Sequence, residues 1–230
     1  MLMNKFYYAV AGTLLLITSA CRLSETKDGL PKQTVDLFVR YLQPEQEYKA
    51  EAILLEGDSL PLAKSVRFPD GIRFLDKDLT EVQVTENLLR YSTEFGGEFA
   101  PQASFRFQDK RGDNQSIPLT MEVLGEIELK MPDRLEGQVE LNIKSGGALK
   151  QGESLVLVLT DRTGQASTVT IEGPSTSGSY SFPLVSFGNP VKGNAEVYVV
   201  KKQVRDEQKG KLQVHLTEEL YSASLQVKIP

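Results

Sequence analysis

The chain has 230 residues, 40% of them hydrophobic and 25% charged, an ordinary globular mixture. A net charge of −5 excludes the basic footprint that nucleic-acid binding requires. One cysteine, one histidine and no tryptophan exclude an intrachain disulfide, a Cys/His zinc site, a Cys–His dyad and a Trp-built sugar platform.

Residues 1–5 carry one positive charge, Lys5, and Phe6 to Ala20 carry none. As a helix those fifteen uncharged residues span roughly 22 Å, short of a ~30 Å hydrocarbon core. Length and flanks therefore read as the apolar region of a signal peptide rather than a membrane span. The segment ends Ile17-Thr18-Ser19-Ala20-Cys21, with small residues just before the chain's one cysteine. This resembles the lipobox of bacterial lipoproteins, with Thr18 standing where the family usually has Leu. The resemblance implies a signal peptide over 1–20, diacylglycerol on the Cys21 thiol and a third acyl chain, such as palmitate, on its freed amine. Several chains hold a protein to a bilayer durably where one holds it only marginally. Arg22 follows the cysteine where inner-membrane lipoproteins often carry Asp, so the resemblance implies the outer membrane and leaves the face open. Residues 21–33 have no periodicity and read as a lipidated tether.

Alternation of period two then dominates. Val35, Leu37, Val39 and Tyr41 face one way, as do Tyr48, Ala50, Ala52 and Leu54. Pro44-Glu45-Gln46-Glu47 has the chemistry of a helix start, but the alternation that follows favours a strand. Val66 and Phe68, the turn Pro69-Asp70-Gly71, then Ile72 and Phe74 predict a hairpin. Thr80 to Ser92 fits neither period. Phe105 and Phe107, the polar loop 109–115, then Ile117, Leu119 and Met121 predict another hairpin. Ile127 to Met131 and Val139 to Ile143 alternate. Leu155 to Leu159 is continuously apolar, the mark of a central strand buried on both faces. The turn Asp161–Gly164 leads into 166–171, and Tyr180, Phe182 and Leu184 form a further strand. Val197 to Val200 runs into a charged tip, Lys201–Lys211, before Leu212 to Leu216 and Ala223 to Ile229 close the chain.

Some fourteen short strands and almost no helix predict an all-β protein. The expectation is two tandem antiparallel β-sandwiches, 34–124 and 125–230, divided near Leu124-Gly125. In strand number and spacing the halves resemble immunoglobulin-like domains, without the Cys pair and core Trp of antibody domains.

Chemistry is sparse. His215 lies on the face opposite Val214 and Leu216, with no second histidine to make a metal site, and reads as a solvated strand residue. No nucleophile motif and no phosphate-binding glycine loop is present, and no cofactor is called for. Gly96-Gly97 and Gly146-Gly147 read as turns. Asp76, Asp78 and Glu81 are spaced like calcium ligands, but Lys77 intervenes, so compensated surface charge is the better reading. Arg111-Gly112-Asp113 is an adhesion-type tripeptide that also satisfies ordinary turn chemistry. Two contact patches stand out. Lys201, Lys202, Arg205, Lys209 and Lys211 put five cations beside two acids, a candidate surface for anionic headgroups or an acidic partner. Tyr180, Phe182 and Phe187 lie in a Gly/Ser/Pro-rich stretch, a candidate recognition surface competing with plain core packing.

The leading expectation is a non-enzymatic lipoprotein of the cell envelope that binds or braces another envelope protein, as an accessory subunit of an outer-membrane complex. The alternative is a surface-exposed glycan- or host-binding module. An enzyme working through dispersed carboxylates is the third class, and nothing in the sequence raises it.

Overall fold

The alternation of the first two strands dictates their pairing. The computed structural model describes residues 32–57 and 63–230, so the signal peptide, Cys21 and nearly all of the tether lie outside the described residues. In β1 (Gln33–Leu42) Val35, Leu37, Val39 and Tyr41 are at most 3% exposed. β2 (Glu47–Glu56) runs antiparallel to it, setting buried Tyr48 opposite Tyr41 and Leu54 opposite Val35. Pro44 starts no helix: Pro44 to Gln46 form the turn, with Gln46 at φ 50°, because ten residues on either side gain a complete ladder.

β3 (Lys64–Val66) adds to β2, and Gly71 N–H donates to Phe68 O at 3.2 Å to close a tight turn. That turn is not the hairpin expected from Pro69-Asp70-Gly71. The strand after it, β4 (Ile72–Phe74), pairs with β5 (Lys77–Asp78) and with β8 (Ser104–Gln108), never with β3. The turn instead passes the chain from one sheet to another, because β2 and β8 offer each short strand a separate partner. Between them, the region of mixed period forms a hairpin, β6 (Thr80–Thr85) and β7 (Leu88–Gly96), with a register irregularity between Gln83 and Thr85. β9 (Asn114–Pro118) completes the expected hairpin with β8.

The second half supplies β10 (Ile127–Lys130), β11 (Gln138–Ile143), β12 (Glu153–Thr160), β13 (Ala166–Glu172) and β14 (Ser179–Pro183). A single 3-10 turn at Leu184–Phe187 precedes β15 (Gly193–Lys209), β16 (Leu212–Tyr221) and β17 (Leu225–Ile229). Among the described residues there is no α-helix: the protein is all-β.

One large sheet runs β13-β12-β15-β16-β1-β2-β7-β6, with β17 beside β15 and β3 beside β2. Its inner face is covered by two small sheets, β5-β4-β8-β9 and β10-β11-β14. The buried faces of all three meet in one apolar cluster. The boundary expected near Leu124-Gly125 does separate the two covers. It does not interrupt the large sheet, in which β1 and β16 pair in parallel over ten residues, and the described residues cluster as one compact unit. The β12 stretch expected to be buried on both faces is not. Leu155, Leu157 and Leu159 are fully buried, while Val156 and Val158 lie half-buried on the uncovered outer face.

The same turn occurs once in each half. Asp109 and Asp161 each accept, on Oδ1, backbone N–H groups two and four residues on. Gly112 and Gly164, at φ 83° and 82°, close both turns, and glycine is the residue that reaches this region without strain. The Arg111-Gly112-Asp113 tripeptide is thus part of a turn chemistry that Asp161-Arg162-Thr163-Gly164 repeats.

Candidate functional site

The cationic tip is largely spent inside the fold. Lys201 is 1% exposed, on the inner face. Its ammonium lies 3.3 Å from a Glu153 carboxylate that is itself buried, and donates to Gly146 O at 3.0 Å. Lys202, on the outer face, sits 3.4 Å from Glu219. Arg205 donates to Pro118 O at 2.6 Å and Lys209 to Ser116 O at 2.9 Å, while Lys211 is half-buried. No continuous cationic surface forms, because β15 is 17 residues long and its second half still passes under the covering layer.

That second half carries an unexpected buried polar cluster. Glu153, Gln203 and Glu218 stand in one row across β12, β15 and β16. Residues 119–126, which link the two covers, belong to no strand: Leu119 N–H and Gly125 N–H still reach the carbonyls of Ala103 and Ser145 at 2.8 Å, but Thr120 and Met121 between them have no backbone acceptor. Glu218, fully buried, supplies the acceptor: Thr120 N–H and Met121 N–H donate to it at 3.1 and 3.2 Å. The Thr120 hydroxyl donates to Gln203 at 2.8 Å, and the Arg205 guanidinium stands 3.8 Å from the Glu218 carboxylate. Burial pushes the Glu218 carboxyl above its ordinary value, against the opposing pull of those N–H donors and of Arg205. Gly146 is more than a turn residue here: a Cβ on it would lie 2.1 Å from Val123 O, so the linker passes directly over it.

The aromatic patch is also inward. Phe187 is 4% exposed and meets the half-buried Phe182 ring at 5.8 Å, while the Tyr180 hydroxyl donates to Gly147 O at 2.5 Å. His215 does face outward, with Nδ1 2.7 Å from Asp206. Asp36 is the next residue along that row, and burial is the main cause that raises its carboxyl above the ordinary value. Asp78 pairs with Arg73 at 2.9 Å, Glu81 pairs with Arg67 at 2.9 Å, and Asp76 lies 3.9 Å from Lys77. Each of these carboxylates is answered by its own cation instead of converging with the others.

The surface best suited to a partner is β6, a terminal strand of the large sheet. All six residues of Thr80-Glu81-Val82-Gln83-Val84-Thr85 are exposed, Val82 by 38% and Val84 by 45%. Its one charge, Glu81, is turned to internal use: the Arg67 guanidinium binds it through two nitrogens, and the Tyr91 hydroxyl donates to it at 2.9 Å. The Arg67 bonds hold its carboxyl below the ordinary value. Ser65 pins the turn end of the hairpin, accepting Leu89 N–H at 2.7 Å and donating to Asn87 O at 2.9 Å. The result is a braced, β-branched edge with unpaired backbone groups, a template for an added strand. Sequence reading passed over it because its alternation is short. The signal available was three β-branched residues spaced by two, ahead of Glu86-Asn87 at the hairpin turn.

No protein-family model matches the chain, and no curated protein is significantly similar to it.

Proposed function

We propose that this protein is a non-enzymatic lipoprotein of the cell envelope that binds or braces another envelope protein, as an accessory subunit of an outer-membrane complex. The observation that carries the reading is the first 21 residues: a short uncharged segment ending in small residues before the chain's one cysteine. A lipid at Cys21, a short tether and a body built of strands together make a tethered binding platform. The exposed edge of β6 supports the mode of binding, in which a partner strand extends the large sheet and Val82 and Val84 contribute apolar contact.

Two measurements test it on the full-length protein in cells. Metabolic labelling with an alkyne fatty acid is expected to tag the wild type and to fail on Cys21→Ser, which should leave the membrane fraction. Crosslinking of envelopes followed by mass spectrometry is expected to capture one stoichiometric envelope protein, lost when Val82 and Val84 are both changed to Lys. An unlabelled wild type, or capture indifferent to those lysines, overturns the corresponding half of the proposal.

A further inference from the structure

The outer face of the small sheet β5-β4-β8-β9 carries a feature that folding alone does not explain. Arg73 on β4 and Arg106 on β8 are directly opposite each other, both exposed. Like charges in directly opposed positions destabilise a strand pair. Arg73 is partly neutralised: its Nε lies 2.9 Å from Asp78 and it donates to Asp76 O at 2.8 Å. Arg106 donates only to the Leu75 carbonyl, a neutral group, and makes no ion pair among the described residues.

The two guanidinium groups line one open cleft of about 310 Å³, which continues along β8 and β9 over Gln108, Asn114 and Ser116 and is bounded by Asp70. That volume is at the lower end for small-molecule sites. Gly71 leaves one end of the cleft open, since a Cβ added there would meet nothing within 4 Å.

We propose that the cleft binds an acidic sugar, with the carboxylate held by Arg106 and Arg73 and the hydroxyls by the other lining groups. A guanidinium presents a planar fork of N–H donors that matches a carboxylate. Gln108, Asn114 and Ser116 each donate and accept, and Asp70 accepts, which suits the mixed hydrogen bonding of sugar hydroxyls. No aromatic ring is exposed in the lining, since Phe107 is 6% exposed, so charge and amide groups carry the recognition. The site lies on a small covering sheet and β6 on the edge of the large one, so this inference stands apart from the bracing role.

The test is isothermal titration of the full-length protein in detergent with trigalacturonate, neutral galactotriose and inorganic phosphate. Trigalacturonate is expected to bind, more weakly as salt rises, and galactotriose to give no measurable heat. Arg106→Gln and Arg73→Gln should each weaken trigalacturonate at least tenfold and Asn114→Ala about threefold, with no variant melting below the wild type, Arg106→Gln melting at or above it because one of two opposed like charges is gone, and Lys130→Gln as an unaffected control. Cys21→Ser should bind as the wild type does, so loss of the lipid anchor and loss of the sugar site are distinguishable. Absence of trigalacturonate binding, or binding that survives Arg106→Gln, overturns the proposal. Phosphate binding as tightly as trigalacturonate, or galactotriose binding equally well, overturns the acidic-sugar assignment.

Discussion

On either side of the parallel β1–β16 ladder the large sheet solves the same problem differently. On the β2 side its cover is aromatic. Tyr48 is fully buried, with ring neighbours Tyr41 at 4.6 Å, Phe95 at 5.4 Å and Phe74 at 5.6 Å, and Phe74 in turn meets Phe105 at 4.8 Å. The polar end of Tyr48 is satisfied at the rim, where its hydroxyl accepts Ala100 N–H at 2.7 Å. On the β15 side the inner face begins with Val197 and Val199 and then turns polar, through buried Lys201, Gln203 and, on the neighbouring strand, Glu218. The difference follows from what lies overhead. A strand in a cover has most of its backbone groups answered by its neighbours, so it asks the sheet mainly for apolar surface, with only the edge carbonyls of Ser116 and Pro118 on β9 taking Lys209 and Arg205. A linker that crosses without strand partners brings free N–H groups, and the sheet must answer them with acceptors.

The largest expected effect is on the aromatic side. Tyr48→Ala should cost about 4 kcal/mol, as large-to-small changes of buried rings do, read as a fall in the urea midpoint. A loss below about 1 kcal/mol would show that this side is not the tightly packed one.

The polar side should break only when its balance is broken. Lys201→Ala leaves Glu153 buried without its cation and should cost about 3 kcal/mol. Lys201→Met combined with Glu153→Gln removes both charges, and most of that loss should be recovered in the same unfolding measurement. Equal damage from single and double variants would mean that the charges themselves stabilise the fold.

The smallest and most specific effect concerns pH. Burial raises the Glu218 carboxyl above its ordinary 4.5, so the folded state holds that proton more tightly than the unfolded one. Its contribution is fully present below pH 4.5 and is lost as pH rises through the folded value. Glu218→Gln cannot titrate, so it should gain on the wild type as pH rises from 4.5 towards 7, checked by melting temperatures across that range. A difference that does not change with pH would place the linker's hold elsewhere.

The sequence was a good guide to strands and a poor one to surfaces. β1, β2 and β11 were legible because their inward residues alternate without exception, and the outward placement of His215 followed from the same rule. The tip Lys201–Lys211 was misleading for a physical reason. Five cations in eleven residues read as solvated charge, yet alternation sends Lys201, Arg205 and Lys209 inward, where carbonyls of the turn after β11 and of β9 accept their hydrogen bonds. Phe182 and Phe187 pack inward, the core reading that competed with a recognition surface, since a Gly- and Pro-rich neighbourhood does not prevent rings from packing. The opposed Arg73 and Arg106 are 33 positions apart, and nothing in their local sequence predicts that they share a cleft.

Local chemistry alone therefore set the all-β character, the Asp109 and Asp161 turns and most inward faces, because period and turn propensity depend on residues close in the chain. Pairing depends on residues far apart. That β1 lies beside β16, that two covers share one sheet, that Glu218 meets Thr120 and that Arg106 faces Arg73 were decided only when distant strands competed for the same backbone partners. The winning register was the one that buried the most apolar surface while leaving the fewest N–H groups unanswered.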